Sequence, residues 1–150
     1  MRLKATRRGE RGAALVEFSI AALVFLTAVF AVIEFGRLLW THNALTDAAR
    51  RGARYAVNHT AGDTSNAQRV AVYGTLDDAA SSPLVFGLKP EHVKVEYSPS
   101  FNVGEGTVNV SIQNYDFKFV VPLAGTTIRM PAYSSTLTAE NAGKVPKALP

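Results

Sequence analysis

The sequence predicts an α+β fold: one long N-terminal helix, a short second helix and a small antiparallel β-sheet. Three observations support this prediction. An apolar block fills residues 13–33, a proline-free helical pattern continues to about residue 57, and after residue 83 the pattern changes to alternating apolar and polar residues. At 150 residues, the chain is long enough for one modest domain.

The apolar block is interrupted only by Glu17, Ser19 and Thr27. As a helix its 21 residues would be roughly 32 Å long, close to the ~30 Å core of a bilayer. Apolar residues surround its whole circumference, which favours lipid or a packed filament core over a soluble surface helix. Glu34, Arg37 and Trp40 then suggest the far membrane interface, where Glu34 is expected to pair with Arg37. Residues 13–36 are therefore interpreted as a transmembrane or assembly segment.

The second half of the long helix carries a stripe of small residues four positions apart, which allows close helix packing: Ala44, Ala48, Gly52 and Ala56. Asp47 is placed to pair with Arg50 or Arg51. We expect this helix to run from about residue 13 to about residue 57, where the turn-forming stretch NHTAGDTSN follows.

A second helix is predicted from a cap at Thr64 or Ser65 to about residue 80, with core candidates Val70, Tyr73, Leu76 and Leu84. Alternation then predicts four strands, joined most simply as an antiparallel meander with a loop before the last one: residues 93–98, 107–117, 118–123 and 135–140. One face of the sheet is expected to be exposed to solvent.

The formal net charge is +4, and five of the sixteen Lys and Arg residues precede the apolar block: Arg2, Lys4, Arg7, Arg8 and Arg11. There they predict a cytoplasmic N-terminus and a periplasmic C-terminal domain. The later basic cluster, Arg50, Arg51 and Arg54, lacks the aromatic platforms of a nucleic-acid surface, so no nucleic-acid partner is expected.

Catalytic and metal-binding patterns are missing from the sequence. The chain has no cysteine, and His42, His59 and His92 lack metal-ligand spacing. Asp77 and Asp78 are adjacent and do not form a facing acid pair. No phosphate loop or nucleophile motif occurs. We therefore expect no enzyme activity, no cofactor, no metal and no small-molecule substrate.

Two processing sites compete at the N-terminus. Cleavage by ordinary signal peptidase after Ala31 would fall inside continuing apolar helix, which is a poor site. The alternative, RRGERG followed by AALVEF, has Gly12 as the last leader residue and Glu17 as the fifth residue after it. This pattern resembles a class IV prepilin site, cleaved between Gly12 and Ala13, and divides the chain into a leader (1–12), an apolar segment (13–36) and an extracytoplasmic domain (37–150).

Two further motifs follow in order, E-F-G-R and A-A-R-x-G-A-R-Y, and with the leader they resemble the TadE-like family. The motif residues are Glu34, Phe35, Gly36, Arg37, Ala48, Ala49, Arg50, Gly52, Ala53, Arg54 and Tyr55. Arg51 stands where family members often carry an acidic residue. The resemblance implies a pilin-like fold and a minor pseudopilin of a tight-adherence pilus. Its expected partners are inner-membrane lipid, a prepilin peptidase, other pilins or pseudopilins and the pilus assembly platform.

Glu17 and its neighbour Phe18 are the expected assembly residues. A carboxylate at the centre of a membrane helix costs roughly 2.5–3.5 kcal/mol, so Glu17 requires compensation. After cleavage, the new amine of Ala13 on a neighbouring subunit could supply it; alternatively, Glu17 snorkels to the headgroups. Two other readings stay open: an unprocessed bitopic protein with a partner-binding domain, and a domain secreted after Ala31.

Overall fold

A computed structural model describes residues 7–77, 82–101, 106–120 and 127–139, with the backbone alone for residues 7–11. Helix α1, Arg7–Val57, is 51 residues long and unbroken, which corresponds to roughly 76 Å. Its predicted end is confirmed, and its start lies six residues earlier than predicted. The first residues of the leader, Asp78, the link at residues 102–105 and the C-terminal tail lie outside the described residues.

Helix α2, Thr64–Tyr73, follows a short turn and packs across the second half of α1. It ends at Gly74, which adopts the left-handed conformation (φ 77°) and donates its N–H to the carbonyl of Val70 at 3.0 Å. The predicted extension is therefore wrong for residues 74–77, and residues 78–80 lie outside the described ranges. Of the predicted core residues, Leu76 and Leu84 are exposed; α2 instead buries Ala67, Ala71 and Val72.

Within the described ranges, five short strands form two antiparallel sheets: β1 Val93–Tyr97, β2 Thr107–Ile112, β3 Asp116–Lys118, β4 Thr127–Arg129 and β5 Tyr133–Thr138. The first sheet has the order β1-β2-β5, and the second pairs β3 with β4. A 3-10 turn, Pro90–His92, leads into β1. The antiparallel arrangement is confirmed, but a simple meander is not, because β5 returns to pair with β2 beyond the β3–β4 hairpin.

The single strand predicted at residues 107–117 is divided in the structure into strands β2 and β3. Asn114 between them has a φ of 57°, a conformation that Asn tolerates better than most residues and that interrupts a β-ladder. Of the strand predicted at 118–123, only Lys118 is in β3, and residues 121–126 lie outside the described ranges. Strand β4 falls within a stretch that the sequence predicted as loop.

The core lies between the second half of α1, helix α2 and one face of the three-stranded sheet. Val108, Val110 and Ile112 of β2 are fully buried there. The opposite face is polar, as predicted: Lys94 Nζ lies 2.7 Å from Glu96 Oε1, and Asn109 Nδ2 donates to Thr136 Oγ1 at 2.7 Å. The domain therefore packs on the second half of α1, and the first half of the helix extends beyond the domain.

Candidate functional site

The first half of α1 projects away from the domain. Between residues 13 and 33 every side chain is exposed except Ala22, which is half-buried. The segment is long and apolar enough to cross a membrane, judged by length and composition. Its large apolar side chains point in all directions around the helix: Leu15, Val16, Phe18, Ile20, Leu23, Val24, Phe25, Leu26, Val29, Phe30, Val32 and Ile33. Within this chain the surface has no covering partner among the described residues.

Two of the three polar residues in this segment are satisfied by the helix itself. Ser19 Oγ donates to the carbonyl of Leu15 and Thr27 Oγ1 to that of Leu23, both at 2.8 Å. Such bonds let hydroxyl groups lie in an apolar medium without an unpaired donor. Glu17 differs, since it is exposed and has no hydrogen-bond or ion-pair partner in the described part of the chain.

Gly12 and Ala13 lie in regular helix, both exposed. A Cβ atom built on Gly12 would meet nothing within 4 Å. The helix runs through this bond without a break from Arg7. Phe18 is 71% exposed, one residue from Glu17 on the same free surface.

The E-F-G-R motif marks the point where α1 enters the domain. Glu34 is only 5% exposed, its carboxylate forms an ion pair with Arg37, and its Oε1 accepts the backbone N–H of Val120 at 3.3 Å. The guanidinium of Arg37 also lies 5.2 Å from the ring centre of Phe117 in β3. The predicted pairing with Arg37 is present, but the burial of Glu34 was not expected from its interfacial position.

The other two residues of that motif face outward. Phe35 is 60% exposed, and a Cβ on Gly36 would meet nothing within 4 Å. Glu34 and Arg37 thus clamp α1 to the segment after β3, while Phe35 and Gly36 continue the free apolar surface.

The second motif is mostly a packing surface. Ala48, Ala49, Gly52 and Ala53 are buried. A Cβ on Gly52 would lie 3.1 Å from both Ala71 Cβ and Val110 Cγ1, so α2 and β2 approach α1 closely at this glycine. The predicted small-residue stripe is therefore a close-packing seam, with Ala44 at its half-buried edge.

The charged and aromatic members of this motif lie at the rim. Arg50 is exposed and lies 3.6 Å from Asp47, while Arg51 donates to the carbonyl of Ala71 at 3.2 Å. Tyr55 donates its hydroxyl to Asp63 Oδ2 at 2.8 Å. Burial, followed by this bond to a carboxylate, raises the pKa of Tyr55. Arg54 is exposed at the solvent side of the last turn.

The three histidines make local contacts. His42 Nδ1 lies 2.9 Å from the hydroxyl of Tyr133, the His59 ring stacks on Tyr55, and His92 lies edge-on to Tyr115. In the described ranges, no three His, Cys, Asp or Glu side chains are grouped so that they could hold a metal ion.

The structure does not gather the predicted residues into one pocket. It separates them into a free apolar segment with Glu17, a clamp at Glu34 and a packing seam around Gly52. Sequence reasoning missed Val120 and Phe117, which complete the clamp from about 80 residues or more away along the chain. It also missed Phe86, which is 82% exposed beside Trp40.

Comparison with known proteins bears on the helix rather than on the domain. Residues 12–54 match the family model described as TadE-like protein. Searches of curated proteins and of solved structures found no match. The matched segment begins at Gly12 and contains the free apolar segment, the clamp residues of α1 and nearly all of the packing seam. The resemblance that the leader and the two helix motifs predicted is confirmed: over residues 12–54 this chain matches the TadE-like family.

Proposed function

We propose that this chain is a minor pseudopilin of a tight-adherence pilus. A precursor enters the inner membrane with its N-terminus in the cytoplasm, a prepilin peptidase cleaves it after Gly12, and the mature chain contributes its apolar helix to pilus assembly, adhesion and surface colonisation. The main support for this proposal is that the TadE-like match covers helix α1, whose apolar first half is not packed against any other part of the described chain.

A free apolar helix surface of this length requires a non-aqueous environment. Burying one large apolar side chain contributes roughly 1.5–3 kcal/mol, so twelve of them together strongly disfavour exposure to water. A bilayer can cover them before assembly, and neighbouring pilin helices can cover them afterwards. The proposed partners follow from this requirement: inner-membrane lipid, other pilins or pseudopilins and the assembly platform.

The charge of Glu17 favours a role in pilus assembly over simple membrane anchoring. The structure gives it no partner in the described chain, although an isolated charge in lipid is unfavourable by roughly 2.5–3.5 kcal/mol. Cleavage after Gly12 would place a positive amine on Ala13, one helical turn from Glu17. Pairing between the amine of one subunit and Glu17 of the next would neutralise both charges and fix the helices in register.

Removal of the leader is tested by measuring the mass of the N-terminal peptide of the protein purified from its native host. A mature chain that begins at Ala13 is the expected result. A retained Met1 or Arg2 would instead establish the bitopic alternative. A chain beginning at Val32 would establish ordinary secretion.

The role of Glu17 is tested by Glu17→Ala, with Ser19→Ala as the matched control in the same exposed segment. We expect Glu17→Ala to be cleaved normally yet to lose surface pili, since it keeps the cleavage site and removes the charge. Ser19→Ala removes only a bond to its own helix, so it should retain pili. Normal piliation of Glu17→Ala, counted by electron microscopy, would remove the proposed assembly role.

A further inference from the structure

Three large apolar side chains are exposed on the domain beside the point where α1 leaves it. Trp40 is 59% exposed, Leu84 51% and Phe86 82%, and all three line one depression of about 450 Å³. We call these three residues the interfacial patch. A cluster of exposed apolar side chains marks a surface that contacts something other than water.

The position of the patch follows from its place on α1. Trp40 lies seven residues after Ile33, the end of the apolar block, which is a rise of roughly 10 Å along the helix. The headgroup layer of a bilayer is about 5–8 Å thick. With residues 13–33 in the bilayer core, as the proposed function requires, Trp40 lies just outside the headgroup layer, and a tilt of α1 lays the patch on the membrane surface. Exposed apolar surface is continuous from the spanning segment through Phe35 and Leu39 to Trp40.

Basic side chains surround a second cavity, of about 470 Å³, between Trp40 and Phe86. Arg37, Lys89 and Lys118 line it, and the charge of Arg37 is paired with Glu34. The one acidic residue among its described lining residues, Asp116, is bound to Arg129 at 3.3 Å. Lys89 is also paired with Glu91, but both side chains are about two-thirds exposed, so that pair is weak. An apolar patch beside a basic cavity matches the acyl boundary and phosphates of an anionic bilayer.

We propose that the domain docks on the membrane surface through the interfacial patch, and that Lys89 and Lys118 bind anionic phospholipid headgroups there. Lipid fits better than a second copy of the chain. Stable protein interfaces bury about 800 Å² on each partner, whereas this patch is three side chains around the exit of a helix that lipid already surrounds. Docking therefore holds one side of the domain against the bilayer, so the domain does not rotate freely above it.

The sequence offers a direct probe, because Trp40 is the only tryptophan in the chain. Full-length protein is reconstituted in phosphatidylcholine vesicles with and without phosphatidylglycerol. Three proteins are compared: the natural chain, a double variant with Trp40→Phe and Phe86→Trp (the patch reporter), and a double variant with Trp40→Phe and Ala61→Trp (the distal reporter). Ala61 is exposed in the turn after α1, at the far end of the domain from the patch. Fluorescence is quenched with brominated lipid from the bilayer or with acrylamide from water.

We expect brominated lipid to quench Trp40 of the natural chain in both vesicle types and the patch reporter mainly in vesicles that contain phosphatidylglycerol. The distal reporter should respond only to acrylamide. Adding Lys89→Gln to the patch reporter should lower the ratio of docked to undocked protein by about fivefold, since one basic residue near an anionic surface is lost. The matched control is Lys94→Gln on the wet sheet face, which should leave the ratio unchanged.

The two proposals fail separately. Lipid quenching of Trp40 without quenching of the patch reporter would overturn docking and leave membrane anchoring intact. Absence of lipid quenching at both positions would also overturn docking, whereas failure of the chain to float with the vesicles in a density gradient would overturn anchoring itself. Shielding of the patch reporter that rises with protein density instead of phosphatidylglycerol content would show that a second copy covers the patch, and docking on lipid would be wrong.

Discussion

Glu34 shows how much one buried carboxylate can organise. Its side chain joins a residue three positions along its own helix to a backbone N–H 86 residues away, so it holds the segment after β3 against α1. The sequence places Glu34 at a membrane boundary, and from the sequence alone its pairing with Arg37 is predictable. Its burial is not, because Val120 approaches it only after the chain has folded.

Replacing Glu34 should destabilise the domain in a graded way. Glu34→Leu leaves the Val120 N–H without its acceptor and should lower the free energy of unfolding by about 1–3 kcal/mol. A larger loss is not expected, because Arg37 is 40% exposed and can be hydrated. Glu34→Gln keeps an acceptor oxygen and should lose less. Urea unfolding of the full chain in detergent micelles, followed by near-UV circular dichroism, measures the difference.

The control for this prediction is Asp47→Asn, which breaks an ion pair with the same three-residue spacing on the same helix. Both partners of that pair are more than 60% exposed, so its loss should change stability by no more than about 0.5 kcal/mol. Equal effects of Glu34→Leu and Asp47→Asn would show that the clamp contributes nothing beyond a surface pair.

At the scale of the elements, the packing of α2 against α1 depends on their close approach at Gly52. The small residues on α1 determine which face of α2 is buried. Ala67 and Ala71 fit against Gly52, and the larger Val70 and Tyr73 are left half-buried. The sequence indicates the stripe on α1 but not its partner. The predicted core residues Leu76 and Leu84 are therefore exposed, and Tyr73 packs only partly buried against the core.

A larger residue at this crossing should separate the elements. Gly52→Leu would overpack the seam between Ala71 and Val110 and should destabilise the domain by about 1–3 kcal/mol or more. Gly36→Leu is the matched control on the same helix, where a Cβ meets nothing within 4 Å. It should be neutral or slightly stabilising, since Leu favours helix over Gly. Thermal unfolding of both variants in micelles tests the seam, and equal melting temperatures would contradict it.

The elements also differ in how far sequence predicts them. The end of α1 at Val57 is predictable because the chain turns at a dense run of Asn, Gly, Asp and Ser. Strand β4 is not, since it has only three residues and all of them are exposed. The break between β2 and β3 leaves only a weak signal in the sequence, because two consecutive polar residues, Gln113 and Asn114, shift the alternation by one position. In the structure the positive φ of Asn114 interrupts the ladder there.

At the scale of the whole molecule, four tyrosines link the domain's stability to alkaline pH. Burial is the first cause of a raised pKa at Tyr55, Tyr97, Tyr115 and Tyr133. A folded pKa above the unfolded value of about 10 means that the folded state favours the neutral hydroxyl. The stability from these groups is fully present below pH ~10 and is lost as the pH rises through their folded pKa values.

The melting temperature of the full chain in micelles should therefore be level from neutral pH up to about pH 9 and fall above about pH 10. Tyr97→Phe is the informative variant, because the buried Tyr97 hydroxyl has no hydrogen-bond partner in the described ranges. It should change stability little at about pH 7 and reduce the loss at high pH. A melting temperature that does not change between about pH 9 and about pH 11 would contradict this coupling.

The unbroken course of α1 has a mechanical consequence. From Glu34 to Val57 the helix extends roughly 36 Å beyond the apolar block. In the membrane-anchored chain proposed above, it would act as a lever whose pivot lies in the bilayer, because no hinge separates its two halves. A tilt of about 20°, common for single membrane helices, would swing the far end of the domain sideways by roughly 12 Å. Bilayer thickness, by setting that tilt, would then decide which neighbours the domain can reach.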